Sequence, residues 1–459
     1  MVQVTQATAG GFGRRGITPP SPVDETPLGT QRTLAEAPRE AVHELRNACL
    51  ARLEPSAVAA VPPDRLAGEV EALISEIATE RRVQLNAREQ RALARELVAD
   101  MMGLGPLEVL LEDDGIADIM VNGPNRVFIE RNGRVELSAV RFRDDQHLQG
   151  ICQRIATGVG RRIDESSPMV DARLKDGSRV NIVFPPLAID GACVSIRKFR
   201  KRAIALSDLV GFGAMTPPIA QVLEIASKIR LNVIISGGTG SGKTTLLNAM
   251  SRQIGVAERV ITVEDAAELQ LQQPHVVRLE TRPLSLEGRG EVSQRDLVRN
   301  ALRMRPDRII IGEVRGGEAF DMLQAMNTGH DGSMSTIHAN NTRDAVTRIE
   351  NMVQMGHMGL PITAVRTQIA SAVHLLVQVE RQRDGGRRLT QVTEVCGIEG
   401  EIIILNDIFQ YNVMGETAAG RIFGHYKVSR ARPSFHAQLS YYGLEAAWTA
   451  AMEEADRGN

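Results

Sequence analysis

The stretch LNVIISGGTGSGKTTLLNAM, residues 231–250, decides the fold of this chain. Residues 231–236 are apolar and partly β-branched, which predicts a short buried strand. From Lys243 onward the apolar residues follow a helical period, which predicts a helix. Between the two, residues 237–244 match G-x-x-x-x-G-K-[ST] at every fixed position. The stretch therefore predicts an α/β domain built around a P-loop.

A P-loop binds the phosphates of a nucleotide. Its glycines let the backbone turn N–H groups inward, and the start of the following helix adds affinity for anions. We assign Lys243 to the outer phosphates and the Thr244 hydroxyl to Mg²⁺, so ATP and Mg²⁺ are the predicted cofactors. The predicted cofactor-binding residues are Gly237, Gly238, Thr239, Gly240, Ser241, Gly242, Lys243, Thr244 and Thr245.

Composition narrows the class of protein. The 459 residues carry a net charge of −2 and 3% aromatic residues, so neither a basic field nor stacking platforms favour direct nucleic-acid contact. The four cysteines lie far apart, which favours neither a zinc site nor a disulfide framework. No apolar run approaches 18 residues and the N-terminus lacks a signal-peptide layout, so we expect a cytoplasmic protein that contacts a membrane only peripherally.

Changes in hydrophobic period divide the chain into predicted segments. Glycine and proline mark a disordered tail and a linker, and alternating strand and helix patterns mark a parallel sheet. The segments are a tail (1–40), a three-helix bundle (41–102), an α+β domain (103–205), a linker (206–216), the P-loop nucleotide domain (217–380) and a C-terminal β-rich appendage (381–459).

Acidic residues follow two predicted strands of the nucleotide domain. Residues 308–311 lead into Glu313, and residues 259–263 lead into Glu264. Because ligands lie outside the carboxyl ends of strands in open α/β sheets, both acids are predicted near the phosphates. We expect Glu313 to polarise the attacking water, directly or through Mg²⁺. Glu264 could hold a Mg²⁺-bound water or share the role of base, whereas a structural cap is an equal alternative, for Asp265 especially.

Histidine and arginine complete the predicted catalytic set. His338 ends the strand pattern of residues 333–337 and could sense the γ-phosphate, with His330 a weaker candidate one loop earlier. Arginines crowd the last strands of the α+β domain, and some could be arginine fingers, although solvated faces are an equal alternative. Those arginines are Arg173, Arg179, Arg197 and Arg200, of which Arg173 and Arg197 are the catalytic candidates.

The nucleotide domain itself shows no obvious arginine directed at the γ-phosphate. We therefore expect a site completed across the linker, from the α+β domain of the same or a neighbouring subunit. Closure and opening of that lobe would then be the mechanical stroke.

The sequence resembles the type II/type IV secretion ATPases. The segments GGTGSGKTT, ITVEDAAEL, LRMRPDRIIIGEVRG and MNTGHDGSMSTIHANN match, in order and spacing, the Walker A, Asp, Walker B and His boxes of that family. The segments GLGPLE, SSPMVDARLKDGSRVN, RRID and ETRPLSLEGRGEV are similar to the tight-adherence (Flp, type IVb) pilus assembly ATPases. The resemblance covers residues 101–405.

The resemblance implies a RecA-like ATPase that works as a homohexameric motor at the cytoplasmic face of the inner membrane. It implies coupling of ATP hydrolysis to pilus assembly through a polytopic platform protein, with retraction left open. It places Lys243 and Thr244 on phosphates and Mg²⁺, Glu313 as the Walker B acid, Glu264 in the Asp box and His338 in the His box. A type IV secretion ATPase is the nearest alternative, and a nucleic-acid translocase or a non-hydrolysing regulatory module are alternatives from other classes.

Overall fold

The computed structural model describes residues 39–52, 63–131, 133–199, 204–282, 284, 290–356 and 359–458. All but the last two residues of the predicted tail, 1–40, lie outside these ranges. The described residues divide into two compact units. The first unit holds the residues up to Glu112 together with Val140–Ile155, and the second holds Asp113–Ala139 and the residues from Ala156 onward. Apart from the linker and the appendage, the predicted division into segments stays a prediction.

The first unit is helical. Its first three helices bury one shared apolar cluster that includes Leu45, Ile74 and Leu97, as the periodicity of residues 41–102 predicts. The Asn86 side chain accepts hydrogen bonds from the N–H groups of Arg88 and Glu89, which starts the third helix. The helices are α1 (Arg39–Arg52), α2 (Pro63–Glu80), α3 (Ala87–Met102), α4 (Leu107–Glu112) and α5 (Asp145–Gly158), whose last residues belong to the second unit.

The described part of the second unit contains an antiparallel sheet of six strands in the order β3-β2-β1-β6-β5-β4. Two hairpins form its two ends, because β2 pairs with β3 and β4 pairs with β5. The strands are β1 (Ile116–Asn122), β2 (Val127–Arg131), β3 (Arg134–Leu137), β4 (Met169–Arg173), β5 (Arg179–Val183) and β6 (Cys193–Arg197).

The same unit contains a second sheet, of nine described strands, in the order β15-β14-β13-β12-β7-β11-β10-β8-β9. The strands from β12 to β9 in this order are parallel, and β13, β14 and β15 continue the sheet antiparallel. The strands are β7 (Val233–Ser236), β8 (Val260–Glu264), β9 (Val276–Glu280), β10 (Arg308–Ile311), β11 (Met334–Ile337), β12 (Leu375–Arg381), β13 (Arg387–Glu399), β14 (Ile402–Glu416) and β15 (Ile422–Val428).

Helices cover both faces of this sheet, as expected for a parallel sheet. Val233 and Ile235 of β7 point into one apolar core, and Ile234 points into the other, so the P-loop strand is buried on both faces. This is the predicted fold class: an α/β, RecA-like P-loop domain preceded by an α+β region. The helices are α6 (Leu206–Gly211), α7 (Pro217–Lys228), α8 (Lys243–Ser251), α9 (Gln294–Ala301), α10 (Glu318–Asn327), α11 (Thr342–Gly356), α12 (Ile362–Ala372), α13 (His436–Tyr441) and α14 (Glu445–Arg457).

Two predicted segments differ from the structure. The linker, residues 206–216, contains α6, and its Leu206 and Met215 are buried in the core that contacts β7. The prolines that follow it misled the prediction, because Pro217 and Pro218 occupy the first turn of α7, where proline is favoured. The appendage, residues 381–459, is not separate: β13, β14 and β15 extend the nine-stranded sheet, and α14 contributes Trp448 to the same core.

No helix among the described residues is both long and apolar enough to cross a lipid bilayer.

Two polar residues beside the start of β7 predict that the stability of the fold depends on pH. The backbone N–H of Asn232 donates to Nδ1 of His374 over 3.0 Å, and burial lowers the pKa of that imidazole. The unfolded chain therefore binds a proton below about pH 6.5 that the folded chain does not, so stability present above that pH is lost as the pH falls. We expect the free energy of unfolding, measured in denaturant, to decrease from pH 7.5 to 5.5.

The matched variant is His374→Asn, whose amide oxygen can accept the same hydrogen bond but does not titrate. Its loss of stability over the same pH interval should be smaller than that of the natural chain. Equal losses would show that His374 does not contribute to the pH dependence.

Candidate active site

A cavity of about 740 Å³ lies at the carboxyl ends of β7, β10 and β11. P-loop residues 239–245 form one wall, and Glu313 and His338 lie beside them. Arg179 and Arg197 of the six-stranded sheet line the same cavity. The volume is in the range of small-molecule sites, and the position outside the carboxyl ends of parallel strands is where open α/β sheets bind ligands.

Glycines shape the P-loop backbone. Gly240 and Gly242 have φ of 69° and 101°, a region that other residues rarely adopt, and Gly242 immediately precedes α8. A Cβ atom on Gly237 would lie 2.2 Å from the carbonyl oxygen of Val379, so glycine is required there by close packing. Gly238 and Gly240 have open space where a Cβ would stand, which leaves a cradle for phosphates above the loop.

Lys243 lies over this cradle. Its ammonium donates to the carbonyl oxygens of Gly237 and Gly238 over 2.9 and 3.0 Å, and both ring nitrogens of His338 lie 3.5 Å away. Burial lowers the pKa of Lys243, whereas the charge of Glu313 raises it. The predicted phosphate lysine and the predicted sensor histidine are therefore in one cluster.

Glu313 sits two residues beyond β10 and touches two other side chains. Its Oε1 lies 2.7 Å from Nε2 of His338, and its Oε2 accepts a hydrogen bond from Arg315 over 2.7 Å. Burial alone would raise the pKa of this carboxyl, but Arg315, His338 and Lys243 outweigh it and lower the pKa. Burial and the charge of Lys243 also lower the pKa of His338. At neutral pH the pair is thus a carboxylate beside a neutral imidazole.

Glu264 is placed differently. It is 2% exposed at the end of β8, and its Oε2 accepts hydrogen bonds from the backbone N–H groups of Glu268 and Leu269 over 2.6 and 2.7 Å. Burial raises the pKa of its carboxyl, although these backbone bonds oppose that effect. The structure does not bring Glu264 to the lining of the cavity. Its carboxylate instead fixes the segment that carries Glu268, which does line the cavity.

Three of the predicted arginines form a row across the six-stranded sheet. Arg173 pairs with Arg179, and Arg179 pairs with Arg197, so like charges stand directly opposite one another. Such neighbours repel, and each arginine contacts a carboxylate that offsets the repulsion. The contacts are Arg173 with Glu280 at 2.8 Å, Arg179 with Glu268 at 2.7 Å and Arg197 with Asp118 at 3.4 Å.

The arginine row corrects part of the sequence interpretation. Arg197 lines the cavity of its own chain, as does Arg179, which the sequence did not single out. Arg173 is not part of the lining, because its guanidinium is directed to Glu280 on β9. Arg200 lies outside the described residues.

Two further arginines near the P-loop were missed: Arg315 of the nucleotide domain and Arg387 of the predicted appendage. Arg315 contacts Glu313, and Nε of Arg387 donates to the carbonyl oxygen of Gly240 over 2.9 Å, so both line the cavity. The cavity therefore has arginines besides those of the six-stranded sheet, and completion of the site from the α+β domain stays a prediction. His330 precedes β11 and contacts the Ala325 carbonyl at 3.2 Å, at the opposite edge of the sheet from His338. Proximity to Glu313 in sequence could have identified Arg315. The position of Arg387 at the cavity depends instead on the pairing of β12 and β13.

The side chains present fit a magnesium nucleotide. Hydroxyl and carboxylate oxygens are the ligands that Mg²⁺ prefers, and the cavity offers Thr244 and Glu313. The open glycine cradle, the helix start after Gly242 and the ammonium of Lys243 fit phosphate oxygens.

Comparison with known proteins gives consistent matches. The model of a family described as type II/IV secretion system protein matches residues 100–394. A Mycobacterium tuberculosis protein named for conjugal transfer is 41% identical over 324 residues, 69% of this chain and 92% of that protein. The PtlH homolog of Bordetella bronchiseptica, a type IV secretion system protein, is 36% identical over 287 residues, 56% of this chain and 83% of that protein. The crystal structure of the VirB11 ATPase from the Brucella suis type IV secretion system is 32% identical, with a TM-score of 0.34, and covers 62% of this chain and 94% of that one.

Proposed function

Because this chain belongs to the family of type II/IV secretion system proteins, we propose that it is an ATPase that converts ATP hydrolysis into mechanical work. The observation that carries the proposal is the cavity itself. Lys243, Glu313, His338 and Arg197 come from four separate parts of the chain and line one cavity. Phosphoryl transfer to water needs a phosphate cradle, an acid that orients water and positive charge on the transferred group, and the cavity offers all three.

Each residue has a defined task in this proposal. The P-loop amides and Lys243 hold the phosphates, and Arg197 with Arg179 stabilises the charge that develops on the γ-phosphoryl group. Glu313 orients the attacking water and accepts its proton, and His338 beside it senses the γ-phosphate. Mg²⁺, held by Thr244 and through water by Glu313, would supply further positive charge to the phosphates. Glu264 holds the segment that carries Glu268, so its part is structural.

The proposed biological task is assembly of a tight-adherence pilus. In this proposal the chain forms a homohexamer at the cytoplasmic face of the inner membrane and moves pilin through a polytopic platform protein. The segments GLGPLE, SSPMVDARLKDGSRVN, RRID and ETRPLSLEGRGEV support this assignment, because they are similar to the tight-adherence ATPases. A type IV secretion task is the second candidate, favoured by the names of relatives that are 36–41% identical.

A deletion strain separates these two tasks. Loss of surface pili and of pilus-dependent adherence, restored by the natural gene, supports the pilus assignment. Loss of conjugation or of a secreted effector, with pili intact, supports the type IV secretion assignment. In both cases the purified protein should release phosphate from ATP in a Mg²⁺-dependent manner.

The position of Arg197 gives a test of how the site is assembled. Arg197→Ala should keep ATP binding but lose turnover by at least about tenfold, since an arginine on the transferred phosphoryl group is worth roughly 10³ or more in favourable cases. Because Arg197 lines the cavity of its own chain, mixing Arg197→Ala subunits with Lys243→Ala subunits should not restore phosphate release. Every site in such a mixture lacks one of the two residues.

The matched control is Arg126→Ala, immediately before β2 of the same sheet, where the arginine contacts Asp190 and does not line the cavity. This variant should hydrolyse ATP at the natural rate. Recovery of activity in the mixture of the two inactive variants would show instead that Arg197 acts on a neighbouring subunit.

A further inference from the structure

Gln378 is a buried amide in an otherwise apolar run, LLVQV, on β12. It is 1% exposed and pairs with Ser236 of β7, the residue immediately before the P-loop. Burying an amide without partners is costly, so an apolar residue would be the simpler choice at this position. The amide therefore requires an explanation from what it contacts.

The contacts of Gln378 join two parts of the candidate active site. Its Oε1 accepts a hydrogen bond from the hydroxyl of Ser236. Its Nε2 donates to the carbonyl oxygens of Asn340 and Ala339 over 2.9 and 3.3 Å. Those two carbonyls belong to the loop that directly follows His338, so a single side chain ties the start of the P-loop to the histidine loop.

The backbone next to Gln378 also packs closely against the start of the P-loop. The carbonyl of Val379, the next residue on β12, packs against Gly237 so tightly that a Cβ there would lie 2.2 Å from it. The N–H of Gly237 donates to the carbonyl of Ile337 over 3.3 Å, one residue before His338. A displacement of the P-loop at Gly237 must therefore move β12 and the histidine loop as well, because an interior packed at this density transmits displacement.

We propose that Gln378 is a positioning residue that couples the P-loop to His338. By holding the loop after His338, it keeps the ring beside Lys243 and Glu313, where the ring can distinguish ATP from ADP. Gln378 is not in the lining of the cavity, so it acts through His338 rather than on the nucleotide. The inference rests on the proposed ATPase function.

The test is Gln378→Leu, which keeps the side-chain size and removes the amide. We expect ADP affinity to change by less than about twofold, because the P-loop and Lys243 remain. We expect turnover to fall about tenfold, less than the roughly 10²–10⁴-fold contributed by a group that transfers the proton itself, because Gln378 acts through His338. The preference for a non-hydrolysable ATP analogue over ADP should fall to the level of His338→Ala, and combining the two substitutions should add no further loss, as for residues in one network.

The matched control is Gln391→Leu, because Gln391 is the residue paired with Gln378 on β13 and its amide contacts Asp407 instead. It should keep both turnover and ATP preference. If Gln378→Leu weakens ADP and the ATP analogue equally while lowering the unfolding midpoint, the residue is structural only and the proposal is wrong. Wild-type turnover and a wild-type preference for the ATP analogue over ADP in Gln378→Leu would also overturn the proposal.

A second variant covers the case in which Gln378→Leu does not fold. Ser236→Ala removes only the hydroxyl that donates to Gln378 and should shift ATP preference in the same direction by a smaller amount; an unchanged preference contradicts the coupling. The two proposals fail in different ways. If the wild-type protein binds both nucleotides but releases no phosphate, the ATPase proposal is wrong. The ratio of its affinities for the ATP analogue and for ADP, compared with that of the variants, then still tests Gln378. Natural protein that binds neither nucleotide overturns both proposals.

Discussion

Lys243→Ala is expected to abolish ATP hydrolysis and to weaken nucleotide binding by at least about tenfold. A hydrogen bond to a charged group contributes about 1.5–3 kcal/mol, and about 1.4 kcal/mol corresponds to a factor of ten. Lys243 is 8% exposed, its ammonium lies over the glycine cradle, and residues 237–245 contain no other cation to replace it. Equilibrium binding of a fluorescent nucleotide and a phosphate-release assay measure the two effects.

The same substitution has a second expected consequence at His338. The charge of Lys243 helps to lower the pKa of that imidazole, so the pKa should rise when the lysine is removed. Titration of the His338 ring by NMR reports this change directly. Lys228→Ala is the matched control, because Lys228 lies on α7 and its charge faces Glu224. Natural turnover in Lys243→Ala would contradict the assignment of the whole cavity.

Local patterns explain why the centre of the fold could be predicted. The strands β7, β10 and β11 are short buried runs, largely apolar in β7 and β10, that precede glycine, acid or histidine. The structure places all three within two residues of the predicted bounds. The P-loop needs only eight consecutive residues to be recognised. Glu313 and His338 follow from the rule that ligands meet the carboxyl ends of parallel strands.

Contacts between distant segments explain what could not be predicted. The row of Arg173, Arg179 and Arg197 depends on the register of β4, β5 and β6, and a shift of one residue would direct these side chains to the opposite face. Arg387 reaches Gly240 only because β13 folds back along β12. Strand β9 was not predicted, because it lies at the sheet edge and its half-exposed residues lack the continuous apolar run of the neighbouring strands.

Glu264 illustrates a limit of motif-based reasoning. Its place after a buried strand is equivalent in sequence to that of Glu313, so the same rule predicted both acids at the phosphates. The segment after β8 folds back so that its backbone N–H groups reach the Glu264 carboxylate. The segment after β10 does not, and Glu313 is left facing His338 and Arg315. The conformation of the following loop, rather than the strand, decides which acid reaches the cavity.

Glu313→Gln is expected to retain ATP binding while turnover falls by at least about a hundredfold, within the usual range for an acid–base group. The substitution keeps the shape and the contact with His338 but removes the charge that orients and deprotonates water. It also removes the charged partner of Arg315, which is 61% exposed and can therefore move into solvent. Single-turnover phosphate release at saturating ATP, with separate measurement of ATP affinity, distinguishes lost chemistry from lost binding.

Glu264→Gln is the matched comparison for Glu313→Gln. The amide oxygen can still accept both backbone N–H groups, but without the negative charge these bonds are weaker, so the segment from residue 265 to 269 should loosen. We expect a lower unfolding midpoint and a turnover that falls less than in Glu313→Gln. If Glu264→Gln instead abolishes hydrolysis in a stable protein while Glu313→Gln is mild, the two acids have exchanged roles. The catalytic base would then be the buried acid, whose pKa burial raises, rather than the one that faces the cavity.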